Sequence, residues 1–321
     1  MRIPKSKNAE RADQPNAIAQ KVAMGASRLP PMKDSTPEEA RAIREQKGNP
    51  FEPPTCELFD VSDVCGRIPS GDIRIRVYKP KLESSGPQPC LVFFHGGGYV
   101  LSSVEQYDTV AQQLAFNSGC IVCSVDYTLA PANKLSGIHK DGFDAYKWIV
   151  ENGVSLGIDE KRIAIGGDSA GGNLAIAVVL ACKRDNVAMP AYQLLIYPSV
   201  DLTMSFASID EFAEGYFLTK ADMYWFRSHY LESPEQEFDQ ELNFLAKDLS
   251  GLPPAYVMTA GFDPLRDEGK AFADRLQQYG VSVEHECYTD MIHGFVSFAG
   301  GIPAGLECLQ SMGAKVKAAL A

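Results

Sequence analysis

The chain has 321 residues, 45% of them hydrophobic and 22% charged, a globular composition that rules out a disordered chain. Its 30 basic and 41 acidic residues leave a net charge of −11, which argues against nucleic acid or an anionic membrane as partner. The length suits one large α/β domain with insertions, or two modest domains.

The first twenty residues, MRIPKSKNAERADQPNAIAQ, carry early positive charge but no apolar stretch of the kind a secretory signal needs. No later apolar run approaches the length of a membrane span. A soluble, cytoplasmic protein without a stable membrane anchor is therefore expected. The eight cysteines follow no regular framework and are expected as reduced thiols. Thr36-Pro37-Glu38-Glu39 reads as a helix start, with a threonine cap, proline at the first helical position and glutamate at the third. That helix should stop near Lys47-Gly48-Asn49-Pro50. Residues 1–50 thus form an N-terminal helical segment, separate from residues 51–321.

The pattern then changes. Residues 72–78 alternate polar and apolar side chains, as a strand with one wet face does. Short continuous apolar runs follow at 91–94, 121–125, 162–165, 194–197 and 256–258, which suits strands covered on both faces of a parallel sheet. Helix-length segments separate them, most clearly 141–150, 173–184 and 268–279. Strand alternating with helix predicts a wound α/β sheet with its ligands at the carboxyl ends of the strands. Cys120 and Cys123 bracket the second run. Residues three apart on a strand point to opposite faces, so the pair is expected as buried thiols rather than a metal or redox site. One densely aromatic stretch, 204–232, interrupts the rhythm, and Thr219-Lys220-Ala221-Asp222 opens a helix inside it. It reads as a cap insertion over the site, built together with the N-terminal helices; a helix packed on the sheet is the alternative.

Three strand ends carry chemistry. Gly167-Asp168-Ser169-Ala170-Gly171 satisfies G-x-S-x-G between a strand and a helical run, the setting of a serine nucleophile on a tight bend. The bend lifts the Ser169 hydroxyl clear of the backbone and puts the Ala170 amide at a helix N-terminus, where it can donate to an anion. His95-Gly96-Gly97-Gly98 follows the 91–94 run and is the more specific signal. Its glycines let amide groups approach an oxyanion, and His95 suits a loop anchor better than a base. A flexible glycine turn is the bland alternative. A serine nucleophile needs a base, and the base needs an orienting acid. Of five histidines, His229 falls in the aromatic stretch, His285 within a strand at 283–288, and His139 before a helix. His293 lies in a loop after the last strand, where an imidazole could reach the serine. Asp263 sits at the end of the 256–258 run, while Asp267 and Glu268 begin the next helix and should stabilise its N-terminus. No HExxH or paired CxxC motif occurs, so neither a metal nor an organic cofactor is expected.

HGGGYVL, DYTLAP, GDSAGGNLA, IYP, GFDPLRDEG and IHGF together resemble the hormone-sensitive-lipase-like branch of the α/β-hydrolases, the GDSAG type. The resemblance runs from about Pro89 to the end of the chain. It implies an α/β-hydrolase fold: a mostly parallel central sheet, helices on both faces, and a helical cap. It implies carboxylester hydrolysis with Ser169 as nucleophile, Asp263 as acid and His293 as base, and oxyanion donors at Gly97, Gly98 and Ala170. The family commonly carries Y-R-L-A-P-E where this chain has Tyr127-Thr128-Leu129-Ala130-Pro131-Ala132, a departure that bears on cap anchoring and substrate preference but not on the triad. The expected partner is a small-molecule ester of short to medium chain, with a homodimer left open. An amidase or formamidase on the same triad and a non-catalytic ligand receptor remain as alternatives.

Overall fold

The computed structural model describes residues 11–81 and 86–321, so the first ten residues of the expected N-terminal segment, and half of the stretch read against a signal, lie outside the described residues. Two helices lead: α1 (Ala17–Ala26) and α2 (Pro37–Lys47). In α2 the Thr36 hydroxyl accepts from Glu39 N–H while the Glu39 side chain accepts from Thr36 N–H, so the predicted start is a complete capping box.

One eight-stranded sheet follows. Its strands are β1 (Asp60–Ile68), β2 (Gly71–Lys79), β3 (Gln88–Phe94), β4 (Ile121–Asp126), β5 (Ile158–Asp168), β6 (Tyr192–Ile196), β7 (Ala255–Phe262) and β8 (Val283–Ile292). They lie in the order β1-β2-β4-β3-β5-β6-β7-β8, and every pairing from β4 to β8 is parallel. β2 runs antiparallel to both of its neighbours. β1 is an addition to the expected strands. It is an edge strand whose first four residues are exposed, so it shows little apolar signal; its partner across a tight hairpin, β2, supplies what its own pattern lacks.

Helices α3 (Asp108–Ser118), α4 (Leu135–Glu151), α5 (Gly153–Leu156), α6 (Ala170–Asp185), α7 (Ala207–Glu211), α8 (Lys220–Tyr230), α9 (Arg266–Gln278) and α10 (Pro303–Ala319) fill the connections. Strand side chains alternate into two cores. Cys90, Val92 and Phe94 of β3 pack with α4, α6 and α9, whereas Leu91 and Phe93 pack with α1, α3 and α10. Cys123 falls in the first core and Cys120 in the second, as their spacing predicts, and both are free thiols. α4 begins at Leu135, six residues before the expected 141, so His139 lies inside a helix rather than before one. No side chain caps that helix and Gly137 sits in its first turn, which leaves its start without a signal.

The aromatic stretch divides. Phe212 and Tyr216 pack on Phe262 of β7, Phe217 packs on Phe298, and Tyr224 is exposed. The indole of Trp225 on α8 donates to Ser35 O at 3.1 Å, joining α8 to the N-terminal segment. Arg41 of α2 donates to Val100 O at 2.7 Å and Ala130 O at 2.5 Å. Among the described residues, no helix is long and apolar enough to cross a membrane.

The end of β3 lies directly against the start of α6. A Cβ on Gly171 would land on the carbonyl oxygens of Phe94 and His95, which are backbone and cannot yield. Gly171→Ala should therefore destabilise the fold by about 3 kcal/mol, as overpacking of a filled contact does, and urea unfolding measures it.

Candidate active site

β5 and α6 meet at a single residue. Ser169 adopts φ 56° and ψ −119°, left-handed backbone that costs a side-chain-bearing residue roughly 1–3 kcal/mol. Neighbouring bonds hold it there: its N–H donates to Ile196 O at 2.9 Å, and its carbonyl accepts from Ser199 N–H and Asn173 N–H, both at 3.1 Å. The bend points the hydroxyl to the carboxyl edge of the sheet.

His293 follows β8 directly. Its Nδ1 lies 2.7 Å from Asp263 Oδ2 and its Nε2 lies 2.9 Å from Ser169 Oγ. A carboxylate only accepts, so Nδ1 carries the proton and Nε2 is left to accept from the serine hydroxyl. Asp263 is fully buried at the end of β7, and its other oxygen accepts from Leu265 N–H at 2.8 Å. The ring of Tyr197 lies 4.7 Å from the imidazole and covers it. The sequence placed these three residues at three separate strand ends, and the sheet brings them into one hydrogen-bonded row.

The glycine loop after β3 faces that row, and its peptide directions follow from where its carbonyls are held. A trans peptide points its C=O and N–H in opposite directions. Gly96 O accepts from His95 Nδ1 at 2.7 Å, which turns the Gly97 N–H the other way. Gly97 O accepts from Leu101 N–H at 2.8 Å, which does the same for Gly98 N–H. Among the described residues the amides of Gly97, Gly98 and Ala170 donate to no protein acceptor. His95 is buried and stacked on Tyr127 at 4.5 Å, and burial lowers its pKa, so it acts as a neutral Nδ1–H donor to the loop.

A family model for the alpha/beta hydrolase fold matches residues 91–297. The chain belongs to that family. Within it the chain falls in the hormone-sensitive-lipase-like branch. It is 39% identical to the carboxylesterase NlhH of Mycobacterium tuberculosis over 78% of this chain and 79% of that protein. It is 33% identical to the ethyl acetate hydrolase of Pseudomonas putida over 84% of this chain and 86% of that one. Among solved structures it resembles an ester hydrolase from the Lake Arreo metagenome, complexed with a bipyridine phosphonate derivative. The TM-score is 0.91 and the identity 37%, covering 95% of this chain and 99% of that chain.

Beside the row of this α/β-hydrolase lies a cavity enclosing about 520 Å³ of empty space, its open mouth included. Ser169, Ala170 and Gly98 form its floor, and Leu202, Met204, Met223 and Phe226 are among its apolar walls. Phe226 of α8 lies so close over Gly98 that a Cβ there would fall inside its ring. Behind the floor, Asn173 Oδ1 accepts from Tyr99 O–H at 2.7 Å and meets His139 Nε2 at 3.0 Å, while Asn173 Nδ2 donates to Ser199 O at 2.9 Å. Burial pushes the His139 pKa down to about 4, so this histidine is a neutral strut. No motif in the sequence announces that cluster.

Glu268 departs from its expected role. Instead of facing the N-terminus of α9 it is fully buried, and its Oε1 accepts from Val200 N–H at 2.7 Å and Asp201 N–H at 3.2 Å. It thereby holds the loop after β6 that forms one wall of the cavity. Burial first, then the charges of Asp201 and Asp263, push its carboxyl well above the usual carboxyl range. Glu268→Ala strips two buried amides of their acceptor and should cost about 2–4 kcal/mol, whereas Glu268→Gln keeps the acceptor and stays near wild type. The sign of the pH effect follows from linkage: the folded state retains a proton that the unfolded state loses above the ordinary carboxyl range, so wild-type stability falls as pH rises beyond it. Urea unfolding at several pH values should show the stability of Glu268→Gln relative to wild type growing toward alkaline pH.

Proposed function

We propose that this chain is a serine carboxylesterase that hydrolyses short- to medium-chain esters through an acyl-enzyme. The observation that carries the proposal is the Asp263–His293–Ser169 row at 2.7 and 2.9 Å beside amides that, among the described residues, donate to no protein acceptor. Relatives named as carboxylesterase and ethyl acetate hydrolase support the reaction class. Ser169 Oγ attacks the ester carbonyl carbon while its proton passes to His293 Nε2. Asp263 keeps the Nδ1–H tautomer in place and stabilises the imidazolium. The carbonyl oxygen, now an anion, is received by the amides of Gly97, Gly98 and Ala170, which favour it over the neutral carbonyl. As the C–O bond breaks, Nε2–H returns the proton to the leaving alcohol. Water then repeats the sequence on the acyl-enzyme, releasing the acid and restoring Ser169.

The proton return fixes which half of the ester enters the cavity. The leaving oxygen must lie within reach of Nε2, on the imidazole side of Ser169. The cavity wall is built from the loop after β6 and from α8, and residues 291–298 take no part in it. The acyl half therefore belongs in the cavity, under Phe226. We assign the N-terminal helices within residues 1–50, with the insertion at 204–232, to a cap that closes this acyl site.

Ser169→Ala should lower kcat for a short p-nitrophenyl ester by at least about a thousandfold while far-UV circular dichroism stays unchanged; a wild-type rate would refute the assignment. Phe226→Ala should raise kcat/KM for octanoate relative to acetate by roughly tenfold, and leave the ranking of acetates with different alcohols as in wild type. A series of esters varied first in the acid and then in the alcohol measures both.

A further inference from the structure

The position between glycine and serine in G-x-S-x-G is free by motif, and here it holds a buried acid. Asp168 Oδ1 accepts from Gly96 N–H at 2.7 Å, and Oδ2 accepts from Tyr107 O–H at 2.8 Å. The carbonyl of the same 95–96 peptide, His95 O, accepts from Tyr127 O–H at 2.8 Å. Both edges of that planar unit are thus held, and it cannot rotate. The peptides that follow turn on three consecutive glycines, whose backbone is the softest in any chain. Among the described residues the Gly96 amide has no acceptor but Asp168.

We propose that Asp168 is a positioning residue whose carboxylate ties the oxyanion loop to the serine bend and so sets the direction of the Gly97 and Gly98 amides. The inference rests on the ester-hydrolysis proposal above and deepens it. The clamp joins three places: the loop after β3, the bend after β5, and Tyr107, the residue that precedes α3. A rigid oxyanion loop contributes to the transition state and little to substrate binding, so its loss should appear in kcat rather than KM.

The clamp also has a pH signature. The titratable groups facing Asp168 are Tyr107, Tyr127, Tyr197 and His293, and of these only the imidazole can carry positive charge. Burial pushes the Asp168 carboxyl up to about 6, opposed by the Tyr107 hydrogen bond and by His293. The ionised form, with two acceptor oxygens, holds both donors. It prevails above that value and is lost as pH falls through it. Loss of the ionised clamp should therefore add its own step to the acid-side fall in kcat/KM, near that value.

The test compares wild type, Asp168→Asn and Tyr107→Phe on a p-nitrophenyl ester, with thermal unfolding beside each to confirm folded protein. Asp168→Asn should lower kcat at least about tenfold with KM within about twofold, and lose the acid-side step that Asp168 contributes. Tyr107→Phe, which removes a donor that favours the carboxylate, should move the acid limb to higher pH. The proposal is overturned by Asp168→Asn with wild-type kcat, by a change in KM alone, or by an acid limb in Asp168→Asn identical to that of wild type. Should Asp168→Asn fail to fold, an unmoved acid limb in Tyr107→Phe overturns it instead. Phosphonylation of Ser169 by a fluorophosphonate, followed against pH in the same three proteins, separates this inference from the esterase proposal. Wild type that labels but hydrolyses no ester defeats the latter, and the labelling rates of Asp168→Asn then decide the clamp. Wild type that does not label defeats both.

Discussion

Two neighbouring parallel strands, β3 and β5, end side by side, and the whole site depends on how closely their ends approach. The loop that leaves β3 and the bend that leaves β5 touch through backbone, with only the missing side chain of Gly171 between α6 and the carbonyls of Phe94 and His95. That contact brings Gly98 and Ala170, whose amides among the described residues donate to no protein acceptor, to one cavity with Ser169. Parallel pairing matters here because it puts the carboxyl ends of successive strands on one edge of the sheet. β7 and β8, farther along the same edge, deliver Asp263 and His293 to the same place. No local segment could assemble this row, since its members are 124 and 30 residues apart.

Three buried carboxyl groups lie at the site, and their environments separate their tasks. Asp263 hydrogen-bonds the imidazole directly and spends its second oxygen on Leu265 N–H. Asp168 faces the glycine loop after β3, with two donors on its two oxygens. Glu268 has two amides on one oxygen and, among the described residues, none on the other. Like charges held together in a dry site cannot all ionise freely. Glu268, with no donor on its second oxygen among the described residues, is pushed well above the usual carboxyl range by burial, so it sits as the neutral acid. The site thus keeps negative charge where a donor or the imidazole answers it.

The parts of the molecule that could be read from the sequence are those fixed by short-range chemistry. Residue runs with two buried faces gave β3 to β7 their place, and a capping box announced α2 and α8. Ser169, His293 and Asp263 stood out because few residue types can act as nucleophile, base and acid at strand ends. What could not be read depends on contacts distant in the chain. β1 is exposed along its first half and makes sense only beside β2. His139 was misplaced because α4 starts without a cap. Glu268 looks like a helix-start acid until the loop after β6 supplies two amides to it. Arg41 is one exposed-looking residue of a polar helix, yet it reaches two carbonyls far along the chain.

The strain at Ser169 and the fixed planes of the glycine loop have one meaning when taken together. A serine held in left-handed backbone and a loop whose carbonyls are already engaged both cost free energy in the folded state, and the cost is met during folding, by β-sheet packing and by neighbouring hydrogen bonds. Under the proposed mechanism nothing then has to reorganise when charge develops on an ester oxygen. A flexible glycine loop could offer the same amides, but would spend part of their attraction on ordering itself at the moment of reaction. The buried polar side chains outside the row, His95, Asp168, Asn173 and Glu268, are where that cost is met. They touch the loop, the bend and the cavity wall rather than the row itself, and they convert a permissive backbone into a rigid one.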